Sequence, residues 1–158
     1  MNDFATPPDD RWFEDYEPGA VHEFGSATVS EEEILSFAAR FDPQPIHLDP
    51  EYARTGPFEG LIASGWHTAS LFMRMFTDHY LSTVASLASP GIDELRWTAP
   101  VRPGDTLRAR VTVLAARVSV GKPDRGIVTT GIVVLNQDDV TVLTMSAVNI
   151  LRRRSVLS

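Results

Sequence analysis

Apolar positions recur at helical spacing from residue 30 to residue 81 and at strand spacing from Gly91 onward. One short strand-like run, Val21–Thr28, precedes both. Ser30 is followed by three glutamates, so the pair Ser30 and Glu33 forms a capping-box signal that opens a helix reaching about Arg40. Ile34, Leu35 and Ala38 fall on one face of that helix and Phe41 extends the stripe. Residues 42–50 then carry three prolines, which forbid a continuous helix or a central strand and predict a stiff, shaped loop. Residues 51–54 have room for one helical turn, and Ser64 is placed to cap a long apolar helix. Trp66, Ala69, Leu71, Phe72, Met73, Met75, Phe76 and Tyr80 leave little of that helix to face water, so it is expected to be enclosed by other structure.

Four strands are expected after it, over residues 92–99, 106–118, 126–135 and 140–151, joined by turns rich in Pro, Gly, Asp and Asn. Leu107, Ala109, Val111 and Val113 alternate with Arg108, Arg110 and Thr112, the mark of an antiparallel strand with one dry face. The predicted architecture is α+β, a curled antiparallel sheet wrapped around a long central helix. In the last strands Val140, Val142, Val148 and Ile150 oppose Leu143, Met145 and Ala147, and a second covered face of this kind points to a homodimer. Pro7, Pro8 and Pro18 punctuate an irregular lead-in over residues 1–20.

Composition narrows the picture. The chain has 158 residues, which favours one domain spanning 1–158. Its net charge of −7 disfavours a general role on nucleic acid or anionic membranes. Cysteine is absent, which removes disulfides, a thiol nucleophile and thiolate zinc sites. The amino terminus lacks a basic start and an apolar run, and residues 61–81 are broken by His67, Arg74, Asp78 and His79, so neither a secretory signal nor a bilayer span is expected. A cytoplasmic location is the default. Arg152, Arg153 and Arg154 could meet phosphates, though a solvated, flexible tail over 152–158 is the commoner explanation.

Two features could carry chemistry. Asp42 and His47 stand five positions apart, about 16 Å if extended, so the proline-braced loop must curl to bring both to one small molecule. A carboxylate and an imidazole converging on one water make an acid/base pair. Spacing alone also allows, and on its own favours, Asp42 capping nearby amides and His47 packing as a loop residue. The second feature is Ser64-Gly65-Trp66. With Ser64 as N-cap, the Gly65 amide is an unpaired donor at the positive end of the helix, and Gly lets a ligand come close. Such a donor aimed at a thioester carbonyl would stabilise an enolate by roughly 3 kcal/mol; ordinary capping, with Gly chosen for packing, is the alternative. Ser64 has no nucleophile-elbow context. Asp42, His47, Asp49 and His67 lack any recognised metal-ligand spacing, and no metal is expected. His67 is expected to face the surroundings of the helix one turn in, His79 to favour the dipole at its end, and His22 to be an ordinary strand residue.

At these residues the chain resembles the MaoC-like dehydratase family, the R-specific enoyl-CoA hydratases of the hotdog fold. The resemblance is carried by residues 12–19 (WFEDYEPG), by residues 29–41, by Asp42-x4-His47-x-Asp49-Pro50, by residues 58–65 (FEGLIASG), and by residues 96–105 (RWTAPVRPGD). It covers about residues 12–150. It implies that Asp42 and His47 form the hydratase dyad, that the Gly65 amide binds the thioester oxygen, and that the long helix is the central helix of the hotdog. It further implies reversible hydration of trans-2-enoyl thioesters to (R)-3-hydroxyacyl thioesters, with coenzyme A as part of the substrate, no separate cofactor, and a homodimer or higher homo-oligomer. A hotdog acyl-CoA thioesterase and a non-catalytic acyl-thioester binding subunit are the alternatives. Many relatives have His where Ser64 stands and an aliphatic residue where Trp66 stands. These departures bear on the acyl pocket, with Ser64 and Trp66 as substrate-binding candidates, and leave the dyad intact.

Overall fold

The computed structural model describes residues 4–154. Its elements, in chain order, are β1 (Val21–Thr28), α1 (Glu31–Phe41), α2 (Pro45–Leu48), α3 (Pro50–Arg54), α4 (Gly65–His79), β2 (Ser86–Trp97), β3 (Thr106–Val118), β4 (Arg125–Leu135) and β5 (Thr141–Arg152). The five strands form one open antiparallel sheet in the order β1-β3-β4-β5-β2. The alternation expected in β3 holds, since Leu107, Ala109, Val111 and Val113 are fully buried. They meet Phe72, Met75 and Phe76 of α4 in one core, together with Ile132, Val134 and Leu143 from β4 and β5. The sheet register is pinned at one edge by Glu23 of β1, which accepts from Arg108 and Arg110 of β3.

The prolines of residues 42–50 do more than break structure. Pro45 opens α2 and Pro50 opens α3, each at a first-turn position where no amide hydrogen is needed. The loop is therefore two short helices in succession, with Asp49 closing the first and capping the second through the Glu51 and Tyr52 amides. The Ser30–Glu33 capping box is formed in both directions.

Several expectations are corrected or sharpened. β2 begins at Ser86, six residues earlier than its alternating pattern, because Pro90 and three register shifts interrupt that pattern. An edge strand paired only to β5 tolerates both. α4 is not enclosed all round: His67, Thr68, Phe72, Met75 and Phe76 are buried, while Trp66 is 58% and Met73 46% exposed. The surroundings that His67 faces leave it no solvent: it is buried, stacked on Phe37 of α1 with ring centroids 4.8 Å apart. Burial lowers its pKa, partly offset by Glu33. Finally, Arg152 ends β5 and the next two arginines are held, with Arg153 donating to the Pro123 carbonyl and Arg154 to Asp10 and Asp15 of the lead-in. Residues 155–158 of the expected flexible tail lie outside the described residues, as do residues 1–3 of the lead-in.

The lead-in contains two 3-10 turns, Pro8–Asp10 and Phe13–Asp15. It closes the C-terminal end of α4: the buried Arg11 guanidinium donates to the His79 and Tyr80 carbonyls, and the Tyr16 hydroxyl donates to the Tyr80 carbonyl. Among the described residues no helix is long and apolar enough to cross a membrane.

Phe72 is the largest α4 side chain buried wholly against the sheet. Phe72→Ala should lower unfolding free energy by about 3–5 kcal/mol, read from denaturant melts of the variant and the parent. A loss under about 1 kcal/mol would mean that α4 is not the core helix.

Candidate active site

The site is assembled where α1 ends and α4 begins. Asp42 is the C-terminal cap of α1, its amide bonded to the Ala38 carbonyl, and its side chain turns toward Ser64 at the start of α4. His47 sits within α2, and the helical turn opened by Pro45 supplies the curl that the five-residue spacing requires. Its Nε2 lies 3.5 Å from Asp42 Oδ2, and both side chains are largely buried. That separation is too long for a strong direct hydrogen bond and short enough for one water to touch both atoms.

The protonation pattern follows from the partners. His47 Nδ1 lies 2.8 Å from the Ile62 carbonyl, which can only accept, so the proton is assigned to Nδ1. In the neutral ring the Nε2 lone pair then faces Asp42. The Asp42 carboxylate accepts from the Ser64 hydroxyl at 2.6 Å and from the Gln44 amide at 2.6 Å. These donors, Ser64 first and Gln44 second, with His47 as a smaller influence, hold its pKa below the usual carboxylate value against the opposing effect of burial. Asp42 is thus an anion with one oxygen directed at the imidazole.

Ser64 has the expected capping role, accepting from the Trp66 amide at 3.3 Å, and adds the bond to Asp42. The His67 and Thr68 amides go to the Ser64 carbonyl. The Gly65 amide is left without a partner among the described residues, at the positive end of a 15-residue helix. The reason for glycine here differs from the close approach of a ligand. A Cβ at Gly65 would fall inside the indole of Trp97, whose Nε1 donates to the Gly65 carbonyl at 2.8 Å. Trp97 in turn meets Trp66 edge to face, with centroids 5.1 Å apart at 79°.

Asp42, His47, Gly65 and Trp66 line one open cleft of about 450 Å³, together with Gln44, Phe58, Trp97 and residues 98–101. Ser64 lies just behind its wall, fully buried. The cleft is lined by an acid/base pair and by a backbone donor, the parts needed to polarise a carbonyl and move protons beside it. No cluster of three His, Asp or Glu side chains suited to a metal occurs among the described residues.

Residues 15–136 match the MaoC like domain, more than three quarters of the chain. The chain belongs to the MaoC-like dehydratase family. Among solved structures, the MaoC-like dehydratase from Rhodospirillum rubrum superposes with a TM-score of 0.85 at 41% identity, covering 91% of this chain and 98% of that one. The (R)-hydratase from A. caviae involved in PHA biosynthesis superposes at 0.67 and 31% identity, covering 84% and 95%. In sequence, the (R)-specific enoyl-CoA hydratase of Rhodospirillum rubrum is 34% identical over 109 residues, 65% of this chain and 69% of that protein. The fold of these MaoC-like neighbours is the hotdog, as the pattern of the chain and its resemblance led us to expect.

Gln44 and Trp97 are among the residues of the candidate site that sequence reasoning did not single out. Gln44 could have been found, as an amide two positions after Asp42 in a loop stiffened by prolines. Trp97 stands in the 96–105 segment that carries the resemblance, but its contact with Gly65 spans 32 positions and arises only when β2 lies beside α4.

Gly65→Ala should expel the Trp97 indole from the start of α4, destabilising the fold by about 1–3 kcal/mol and changing tryptophan emission. An unchanged melt together with an unchanged spectrum would contradict the packing described.

Proposed function

We propose that this MaoC-like protein catalyses the reversible addition of water to trans-2-enoyl thioesters, giving (R)-3-hydroxyacyl thioesters. The observation that carries the reading is the 3.5 Å approach of Asp42 Oδ2 and His47 Nε2 in a cleft that also holds the free Gly65 amide. The names of the R. rubrum and A. caviae relatives support it.

In this reading the thioester oxygen accepts from the Gly65 N–H, at the positive end of α4, which draws electron density from C3. A water held between Asp42 and His47 gives one proton to the pair as its oxygen bonds to C3. The C2–C3 π electrons move onto the thioester as an enolate, and C2 then takes a proton from the pair. The pair ends as it began, and the elements of water have been added across the double bond. Asp42 ends α1 and His47 lies in α2, the next element along the chain, so in this reading hydroxide and proton arrive on the same face of the substrate. Syn addition and a single product configuration follow. Coenzyme A enters only as part of the substrate, and no other cofactor is required by the scheme. The protein is proposed to work as a homodimer or higher homo-oligomer in the cytoplasm.

Asp42→Asn and His47→Ala should each lower kcat about 10² to 10⁴-fold, followed as loss of enoyl absorbance on crotonyl-CoA. A folded variant that keeps near-parental turnover would overturn the dyad. Release of free thiol without loss of the double bond would instead indicate hydrolysis.

The pH profile supplies a separate check. Asp42 must be ionised for the pair to accept a proton, and its pKa is depressed chiefly by the Ser64 hydroxyl. Removing that donor raises the Asp42 pKa toward its ordinary value, so the acid limb of kcat/KM in Ser64→Ala should move to higher pH. A limb that stays put or moves lower would show that Asp42 ionisation does not control the rate.

A further inference from the structure

The backbone donor of the cleft belongs to a glycine, the residue type with the least restricted backbone. The peptide units on either side of Gly65 are tied down by named groups. The Ser64 carbonyl, on the same unit as the Gly65 N–H, accepts from the His67 and Thr68 amides. On the following unit the Trp66 N–H donates to the Ser64 hydroxyl at 3.3 Å, and the Gly65 carbonyl accepts from Trp97 Nε1 at 2.8 Å. The ties to the Ser64 carbonyl are bonds of the first helical turn and loosen together if that turn frays. The bond from Trp97 comes from the sheet and does not.

Trp97 is anchored at the end of β2. It pairs with Leu143 of β5, and the next residue, Thr98, donates its amide to the Val142 carbonyl and its hydroxyl to the Thr141 carbonyl. Its aim depends on a break in the strand. The register shifts between Asp93 and Arg96, where Glu94 takes a φ of 53°. Ile92 and Leu95 consequently face the same flank of α4 although an odd number of positions separates them, and Trp97, two beyond Leu95, faces α4 as well. Unbroken alternation from Ile92 would send Trp97 to the other face of the sheet. The bulge delivers an indole to the first residue of α4, in the space where a Cβ of Gly65 would stand.

Resting on the hydratase reading above, we propose that Trp97 is a positioning residue: by holding the Gly65 carbonyl from the sheet, its Nε1–H fixes the Gly65 backbone and keeps the Gly65 N–H aimed at the thioester oxygen. A donor stabilises an enolate best when it already points the right way before the reaction, and a glycine held on one side only would sample several orientations. The indole touches no reacting atom in this role, and its effect passes through Gly65. That effect falls on the transition state, where negative charge gathers on the oxygen, more than on binding of the ground state.

The test separates the N–H of Trp97 from its bulk. Trp97→Phe keeps an aromatic ring and deletes the donor. Trp97→His deletes the fused ring but keeps a five-membered one, whose Nε2 takes the place of the indole nitrogen. Infrared difference spectra record the carbonyl stretch of bound butyryl-CoA, isotopically labelled at its carbonyl carbon, a saturated thioester that hydration cannot consume. Kinetics records kcat and KM on crotonyl-CoA. In the parent the bound stretch should lie below that of the free thioester in water. Trp97→Phe should return it most of the way to the free value and lower kcat roughly ten- to a hundredfold, with KM within about threefold of the parent, while Trp97→His keeps the larger part of both. A folded Trp97→Phe that retains the parent's carbonyl shift and kcat would overturn the proposal and leave the hydratase reading intact. So would a Trp97→His no better than Trp97→Phe, or a parent that leaves the bound carbonyl unshifted. A carbonyl shift that follows the ring N–H across the three proteins, in a parent that does not hydrate crotonyl-CoA, would preserve the positioning role and sink the hydratase reading.

Discussion

The hydroxyl of Ser64 serves two partners at once. As acceptor it caps the first turn of α4, and as donor it holds Asp42, the residue that ends α1. The end of one helix and the beginning of another are thereby fixed to each other through one oxygen. The rest of the site inherits its geometry from this joint. Asp42 is placed near His47, the imidazole is oriented by the Ile62 carbonyl just upstream of Ser64, and the Gly65 amide emerges beside both. Ser64 is itself almost completely buried, so its two bonds are made away from competing water and set directions firmly.

Much of this could be read from local chemistry. The Ser30 capping box, the Ser64 cap and the alternation of β3 are decided by neighbours in sequence, and the structure has them where the pattern put them. The curl between Asp42 and His47 was foreseeable because proline restricts its own backbone and that of the residue before it. The helical turn expected at residues 51–54 is there, opened by Pro50, but the proline pattern did not show that Pro45 would also begin a helix rather than merely bar one. The outcome depends on residues downstream of each proline: His47 and Ala53 are buried against neighbouring structure, and a helical turn is what carries them there.

The remainder depended on contacts between distant segments. Gly65 reads in sequence either as an opening for a ligand or as a residue chosen for packing, and what it packs against, Trp97, stands 32 positions away. His67 reads as facing the surroundings of the helix, and which neighbour it meets was not legible: α1 lays Phe37 over it and buries it. The early start of β2 was hidden because pairing with β5 sustains a strand through Pro90 and three breaks in register that no alternation would reveal. Each is a case in which tertiary packing outweighs local preference.

The two ends of α4 are closed by different means and lie about 22 Å apart, as a 15-residue helix requires. At the far end, Arg11 and Tyr16 clasp the last carbonyls, and Arg154 reaches back to Asp10 and Asp15, so the first and last described segments of the chain are stitched to one another there. Arg154 is exposed, and pairs of this kind are individually weak and screened by salt. The first and last described segments therefore meet at the pole opposite the cleft. The ionic seam can open and reseal while the chemistry at the other pole is left undisturbed.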